Sequence, residues 1–249
     1  VTVVGVIPAR YASSRFPGKP LAPILGKPMI QWVYERSLLA RNVDEVLVAT
    51  DDRRIQDAVA GFGGRCVLTG ECATGSDRVF EAVRNAVCDV VLNLQGDEPT
   101  LDPRSVSALV ELMLERPELD MGTLVSPVRS RREYEAPNVV KVALGGEGRC
   151  LYFSRSPVPH LRDVPFEGAA IWRHVGIYAF RKPFLQEFTS WPRGILETSE
   201  SLEQLRALEN GVVIRAAQVE WPGCAVDTPE DIPGAERALV KILEAEGGG

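Results

Sequence analysis

Histidine is almost missing from this chain. His160 and His174 are the only two in 249 residues, and neither has a Cys or His neighbour at the spacing of a zinc site. Cysteine is sparse and scattered: Cys66, Cys72, Cys88, Cys150 and Cys224 form no CxxC pair. An odd, dispersed set argues for reduced thiols in a cytoplasmic protein and against a disulfide framework. No apolar run reaches the roughly 20 residues of a membrane span, so no membrane insertion is expected. The opening run Val1–Ile7 is too short for a signal peptide and lacks its basic flank. Surplus positive charge is absent too. The 28 Lys and Arg face 34 Asp and Glu, a net charge of −6, which disfavours nucleic acid as a partner. Neither GxxxxGK[ST] nor GxGxxG occurs after the first strand. The motifs hold no Ser-His-Asp or Cys-His set for covalent catalysis.

Against those absences, 45% of the residues are hydrophobic, enough for a substantial core and for one domain over 1–249. The first half alternates strand and helix. Val1–Ile7 reads as a strand and Pro28–Leu39 as a helix with Ile30, Trp32, Val33 and Leu38 on its apolar side. Glu45–Thr50 is the second strand, and a short helix to Ala60 precedes a strand at Cys66–Leu68. A helix over Val79–Val87 leads to Val90–Leu94, whose near-continuous Val and Leu predict a strand buried on both faces. Asp102-Pro103 opens a helix through Leu114. Such alternation predicts parallel strands with right-handed crossovers, a doubly wound, three-layer α/β/α sheet. The second half differs. Met121–Val128, Asn138–Leu144 and Arg149–Phe153 are closely spaced strands and predict a mixed or antiparallel portion. Residues 154–172 are loop-like, with Pro157, Pro159, Pro165 and Gly168, and read as an arm for a dimer contact. A strand over His174–Phe180 and a helix over Thr198–Asn210 follow, and Cys224–Asp231 joins a strand end to the last helix.

In open parallel sheets, ligands sit beyond the carboxyl ends of the strands. There this chain concentrates its polar residues. The loop Pro8–Pro20 carries Arg10, Arg15 and Lys19 among three prolines, Pro8, Pro17 and Pro20. The prolines stiffen it, which lowers the entropy lost when a flexible polyphosphate is gripped. The three cations offer charge and forked hydrogen bonds to phosphate oxygens; a solvated basic turn is the plain alternative. Gln95-Gly96-Asp97-Glu98-Pro99 follows the buried strand. Gly96 permits close backbone approach, and Asp97 stands where a metal-bound nucleotide could be held, or is a solvated turn acid. In Thr74-Gly75-Ser76-Asp77-Arg78 the hydroxyls and Arg78 could read a base edge, or Thr74 or Ser76 could simply cap a helix. Asp51-Asp52 reads as a helix cap. His174 and Tyr178 share a strand face and form either a polar wall or a satisfied, half-buried pair. Glu200, Glu203 and Gln204 share a helix face. Asp227 or Thr228 caps the last helix, with Pro229 in its first turn.

Seven blocks stand out in chain order: Pro8-Ala9-Arg10-Tyr11 through Arg15-Phe16-Pro17-Gly18-Lys19-Pro20-Leu21; Thr74-Gly75-Ser76-Asp77-Arg78; Asn93-Leu94-Gln95-Gly96-Asp97-Glu98-Pro99; Tyr152-Phe153-Ser154-Arg155; His174-Val175-Gly176-Ile177-Tyr178; Leu202-Glu203-Gln204-Leu205-Arg206; and Val226-Asp227-Thr228-Pro229-Glu230-Asp231. Together they resemble the CMP-Kdo synthetases, or 3-deoxy-manno-octulosonate cytidylyltransferases. The first block is shared by several nucleotidyltransferases, whereas the fourth, sixth and seventh are jointly specific. Gly-Thr-Asp-Arg is the commoner form where Gly75-Ser76-Asp77-Arg78 stands here, and Ser keeps the hydroxyl. The resemblance implies a nucleotide-diphospho-sugar-transferase fold with a Rossmann-like mixed sheet, and a homodimer. It implies Mg²⁺-dependent reaction of CTP with Kdo, giving CMP-Kdo and pyrophosphate for lipopolysaccharide biosynthesis. It places Arg10, Arg15 and Lys19 at the triphosphate, Ser76, Arg78, Gln95 and Gly96 near cytosine and ribose, and Asp97 with Asp227 at magnesium; Lys19, Asp97 and Asp227 are the catalytic set. Gln95, Arg155, His174, Tyr178, Glu203 and Gln204 would line the acid-sugar pocket. Two other readings stay open. The sugar could be a different acid, such as sialic acid or amino-Kdo. The chain could also be a non-catalytic nucleotide-binding protein, which would be expected to have lost Lys19, Asp97 or Asp227; all three are present.

Overall fold

The computed structural model describes residues 1–12, 15–221 and 223–247. Ser13 and Ser14, part of the basic loop, lie outside that set. Strand β1 (Val3–Ala9) is followed by a small hairpin, β2 (Pro23–Ile24) and β3 (Lys27–Pro28), and then by α1 (Met29–Leu38), β4 (Glu45–Thr50), α2 (Arg53–Gly61), β5 (Cys66–Leu68), α3 (Gly75–Val83), β6 (Val90–Asn93) and α4 (Pro103–Glu115). The chain continues with β7 (Met121–Pro127), α5 (Arg131–Glu135), β8 (Lys141–Leu144), β9 (Cys150–Ser154), β10 (Trp172–Arg181), α6 (Lys182–Ser190), α7 (Ile195–Glu200), α8 (Leu205–Glu209), β11 (Ile214–Gln218) and α9 (Ile232–Gly247). These fall into two units, Val1–Ser107 with Pro222–Gly249, and Ala108–Trp221.

In the first unit β1 pairs in parallel with β4 on one side and β6 on the other, and β4 pairs in parallel with β5. This is the doubly wound pattern the alternation predicted. Val3, Val4, Val6 and Ile7 are buried, as are Val90, Val91 and Leu92, which is why these strands are apolar throughout. A satellite core joins Ile24, Met29 and Trp32 to Val226, Ala235 and Leu239. The Trp32 indole N–H donates to the Ile24 carbonyl at 2.7 Å, which ties the hairpin to α1.

The second unit is mixed, as its closer strand spacing suggested. There β11 runs parallel to β7, and β10 is antiparallel to β7 and to β8, which is antiparallel to β9. A bulge interrupts the β10–β7 register between Val175 and Tyr178. Phe180, Phe184, Phe188 and Trp191 pack ring on ring between β10 and α6.

Several boundaries differ from the sequence reading. Helix α3 starts at Gly75 because Thr74 and Asp77 form a capping box, with 3.1 and 2.9 Å bonds. Strand β8 begins at Lys141, three residues later than the apolar run suggests. The single helix expected over 198–210 is two, α7 and α8, because Ser201 takes a left-handed conformation at φ 52 that ends the first. Among the described residues no strand runs into Asp227, since β11 ends at Gln218, although Val226 N–H donates to the Asp97 carbonyl at 2.9 Å.

Candidate active site

The basic loop, the turn after β6 and the segment before α9 converge in the first unit. A cleft of about 350 Å³ is lined by Pro8, Ala9, Arg10, Ala12, Arg15, Lys19, Pro20, Gln95, Gly96 and Asp97. Lys19 is its electrostatic centre. Its Nζ lies 2.9 Å from Asp97 Oδ2 and 3.6 Å from Asp227 Oδ1, and Arg15 reaches the same Asp227 oxygen at 3.1 Å. Two carboxylates 130 positions apart in sequence thus meet on one ammonium. The Val226–Asp97 main-chain bond fixes one against the other. Gly96 is required where it stands: a Cβ would come 3.0 Å from the Pro8 carbonyl oxygen.

Asp227 is not the helix cap that sequence suggested as one option. Thr228 and Asp231 form the capping box, and Asp231 Oδ2 accepts the N–H groups of Asp227 (2.9 Å) and Thr228 (2.8 Å). These bonds hold the Asp231 carboxyl below its usual pKa. The Asp227 side chain is thereby left to face Lys19. Sequence reasoning passed over Asp231, although the Thr-x-x-Asp spacing could have found it.

Beside this cleft the base-reading candidates are settled into the fold. Ser76 is 1% exposed and accepts a hydrogen bond from Asn93 Nδ2 at 3.4 Å. Arg78 is 2% exposed; its guanidinium donates to Thr69 Oγ1 and to Asp51 Oδ2, each at 2.6 Å. Of the acidic pair, therefore, only Asp52 caps α2, accepting Arg54 N–H at 2.9 Å, while Asp51 anchors Arg78.

In the second unit His174, Tyr178 and Gln204 come together. The His174 and Tyr178 rings are 5.2 Å apart, and Tyr178 donates to Gln204 Oε1 at 2.9 Å. Gln204 is 2% exposed and its Nε2 is a buried donor with no hydrogen-bond partner among the described residues. The bulge frees the Ile177 carbonyl, which accepts the Thr123 hydroxyl at 2.8 Å. That uses the only proton on Thr123 Oγ1. The 2.9 Å contact between Thr123 Oγ1 and His174 Nε2 must then be donated by the imidazole, so Nδ1 carries the lone pair. Glu203 makes a 3.9 Å ion pair with Arg206. The Arg155 guanidinium donates to the carbonyls of Glu200 (2.8 Å), Pro137 (3.2 Å) and Ser201 (3.4 Å). Lys141, unnoticed in the sequence, is fully buried and donates to the Ala136, Val139 and Arg155 carbonyls at 2.7–2.8 Å.

Burial pushes the His174 imidazole down to about 3. The unfolded ring titrates near 6.5, so between these values the unfolded chain binds a proton that the folded chain refuses. The contribution is fully present above about pH 6.5 and is lost as pH falls toward 3, by at most about 1.4 kcal/mol per pH unit. Urea unfolding from pH 7 to 4 should show His174→Gln losing stability less steeply than the wild type. Parallel curves would mean that the ring protonates in place.

The chain matches the model of a family described as cytidylyltransferase over residues 4–216. It is 49% identical over 247 residues to a 3-deoxy-manno-octulosonate cytidylyltransferase of Syntrophotalea carbinolica, covering 96% of this chain and 99% of that one. It is 48% identical over 244 residues to an 8-amino-3,8-dideoxy-manno-octulosonate cytidylyltransferase of Shewanella halifaxensis, covering 96% and 99%. Its fold is similar to a solved CMP:2-keto-3-deoxy-manno-octonic acid synthetase complexed with CTP, with a TM-score of 0.92, 44% identity and 97% and 99% coverage. Matched by that family's model over residues 4–216 and by such relatives over 96% of its length, this chain belongs to the cytidylyltransferase family.

Proposed function

We propose that this protein transfers the cytidylyl group of CTP to the anomeric hydroxyl of Kdo, releasing pyrophosphate. The observation that carries the chemistry is the meeting of Asp97 and Asp227 on Lys19 in a cleft walled by Arg10 and Arg15. The sugar hydroxyl gives up its proton to solvent and its oxygen forms a bond to the α-phosphorus as the bond from that phosphorus to the pyrophosphate oxygen breaks, in line with it. Arg10, Arg15 and Lys19 neutralise the triphosphate and the charge that grows on the departing pyrophosphate. Lys19 exchanges its aspartates for phosphate oxygens as the nucleotide enters. Gln95 and Gly96 take the ribose side, with Ser76 and Arg78 shaping the base end from behind. Gln204 Nε2 offers a donor and His174 Nδ1 an acceptor to sugar hydroxyl or carboxylate groups, with Tyr178 fixing the Gln204 amide. Glu203 and Arg155 complete this side.

Asp97 and Asp227 fit a magnesium ion. The fold already gathers both carboxylates on a positive charge, and Mg²⁺ favours hard oxygen ligands. Among the described residues no group of three or more His, Cys, Asp and Glu side chains could hold a metal. Two carboxylates leave room for phosphate oxygens and water, which suits an ion that arrives with a nucleotide. When bound, it would supply Lewis-acid stabilisation of phosphate charge and lower the pKa of the attacking hydroxyl.

We place the reaction in the cytoplasm, from the scattered thiols, and at the activation step of lipopolysaccharide biosynthesis. We propose a homodimer joined through residues 154–172 within a single 1–249 domain. Pyrophosphate release with CTP, Mg²⁺ and Kdo tests the reading, beside 8-amino-Kdo, sialic acid, other nucleoside triphosphates and an EDTA control. Release that needs CTP, metal and Kdo is expected. Preference for 8-amino-Kdo would keep the mechanism and move the substrate, an outcome that the second relative makes worth measuring. No release with any sugar, despite CTP binding, would favour a non-catalytic role.

A further inference from the structure

The acidic pair that follows β4 holds two arginines, one on each carboxylate. Asp51 keeps Arg78 in place. Asp52 grips Arg54. Its Oδ1 accepts the main-chain N–H of Arg54 and so caps α2, while the carboxylate takes the guanidinium in a fork, Nε at 2.9 Å and Nη2 at 2.5 Å. A forked pair fixes the plane of the guanidinium as well as its position. That group lies 3.3 Å from the centre of the Tyr11 ring, a stacking contact. The same ring packs on Gly18, where an added Cβ would come within 3.2 Å of it. Gly18 also donates its N–H to the Tyr11 carbonyl at 2.8 Å. With φ at 73 it makes the left-handed turn that delivers Lys19.

A continuous set of contacts therefore runs from Asp52 through Arg54, Tyr11 and Gly18 to Lys19. The cap of α2 needs only the Asp52 carboxylate and a main-chain N–H, so it does not explain the arginine side chain, which is largely exposed. We infer that Arg54 is a positioning residue for the nucleotide: held by Asp52, it braces Tyr11 against Gly18 and so presents the neighbouring Arg10 and Lys19 to the triphosphate from positions that are already fixed. This rests on the reading that the basic loop receives the triphosphate of CTP. A loop ordered beforehand gives up less freedom on binding, so the brace acts on nucleotide affinity.

Calorimetric titration of the full chain with CTP, together with steady-state kinetics, tests this. Arg54→Ala keeps the N–H that Asp52 caps, so its unfolding midpoint should match the wild type. Its Kd for CTP should rise roughly fivefold, while kcat at saturating CTP and KM for the sugar stay within about twofold. Asp52→Asn, which still caps but loses the charged fork, should reproduce most of that rise. Tyr11→Leu should match Arg54→Ala, Tyr11→Phe should bind as the wild type does, and the Arg54→Ala/Tyr11→Leu double variant should be no weaker than either single one. Wild-type affinity in Arg54→Ala would overturn the proposal. So would losses that multiply in the double variant, because Arg54 would then act on the nucleotide directly. A wild-type chain that binds no CTP would overturn both this inference and the nucleotide reading beneath it.

Discussion

Asp97→Asn is expected to lower turnover by roughly a thousandfold, the scale of losing several kcal/mol of charge stabilisation at the reacting phosphate. The change is nearly isosteric. Asparagine keeps the main-chain carbonyl that receives Val226 N–H, so the 97 and 226–227 segments stay joined. Lys19 keeps Asp227 as a partner, and both it and Asp97 are partly solvated, so stability should change by no more than about 1 kcal/mol. CTP affinity measured in EDTA should hold or improve, since Lys19 has lost a carboxylate that competes with phosphate for it. Titration with CTP, thermal unfolding and pyrophosphate release together give the answer. Loss of turnover with affinity and fold preserved would assign Asp97 to the reaction itself. Turnover near that of the wild type would remove it, and with it the pairing with Asp227 as a metal site.

How legible this site was depended on whether a residue's partners are local. The parallel strands announce themselves because neighbours such as Val3 and Val4, or Val90 and Val91, are buried on opposite faces and the runs are apolar without alternation. The basic loop and the Gln95–Pro99 turn were readable because a sheet edge concentrates chemistry at strand ends. Short-range devices were readable in principle: the Thr74/Asp77 and Thr228/Asp231 boxes sit at fixed spacing. Residues whose partners lie far away were not. Nothing local in the sequence shows that the Arg155 guanidinium holds main-chain carbonyls at 137, 200 and 201. Lys141 would pass for a surface residue, yet it is fully buried on three carbonyls, with burial pulling its pKa below the ordinary lysine value. Asp51 and Asp52 read as one cap and do two separate jobs, because Arg78 is 27 positions from the first and Arg54 only two from the second. The break at Ser201 was hidden for another reason. Nothing in Glu200-Ser201-Leu202 forbids a helix, and the left-handed residue is held by the tertiary contacts of Arg155 with Glu200 and Ser201.

Arg206→Met is expected to be the most destabilising single change in the second unit, by about 3–5 kcal/mol. The Arg206 and Glu197 side chains are 4% and 6% exposed, and the guanidinium meets the carboxylate as a fork, Nε to Oε2 at 2.7 Å and Nη2 to Oε1 at 2.6 Å. Arg206 also lies over the Phe188 ring at 4.9 Å and approaches the carbonyls of Phe188 and Trp191, so it ties α6, α7 and α8 together. Methionine can fill most of the volume but leaves the Glu197 carboxylate buried, with Gly194 N–H at 3.3 Å and the largely exposed Arg193 at 3.9 Å as weak remaining partners. The cost comes from that stranded charge more than from the attraction that is lost, because removing two ions from water had already used up much of the attraction. The double variant Glu197→Leu/Arg206→Met should therefore recover more than half of the loss, which denaturant unfolding of the three proteins would show. A double variant no more stable than Arg206→Met would instead mean that the fork itself holds α7 to α8. In that event its loss should also displace Gln204, at the head of α8, from Tyr178, raising KM for the sugar while CTP affinity stays unchanged.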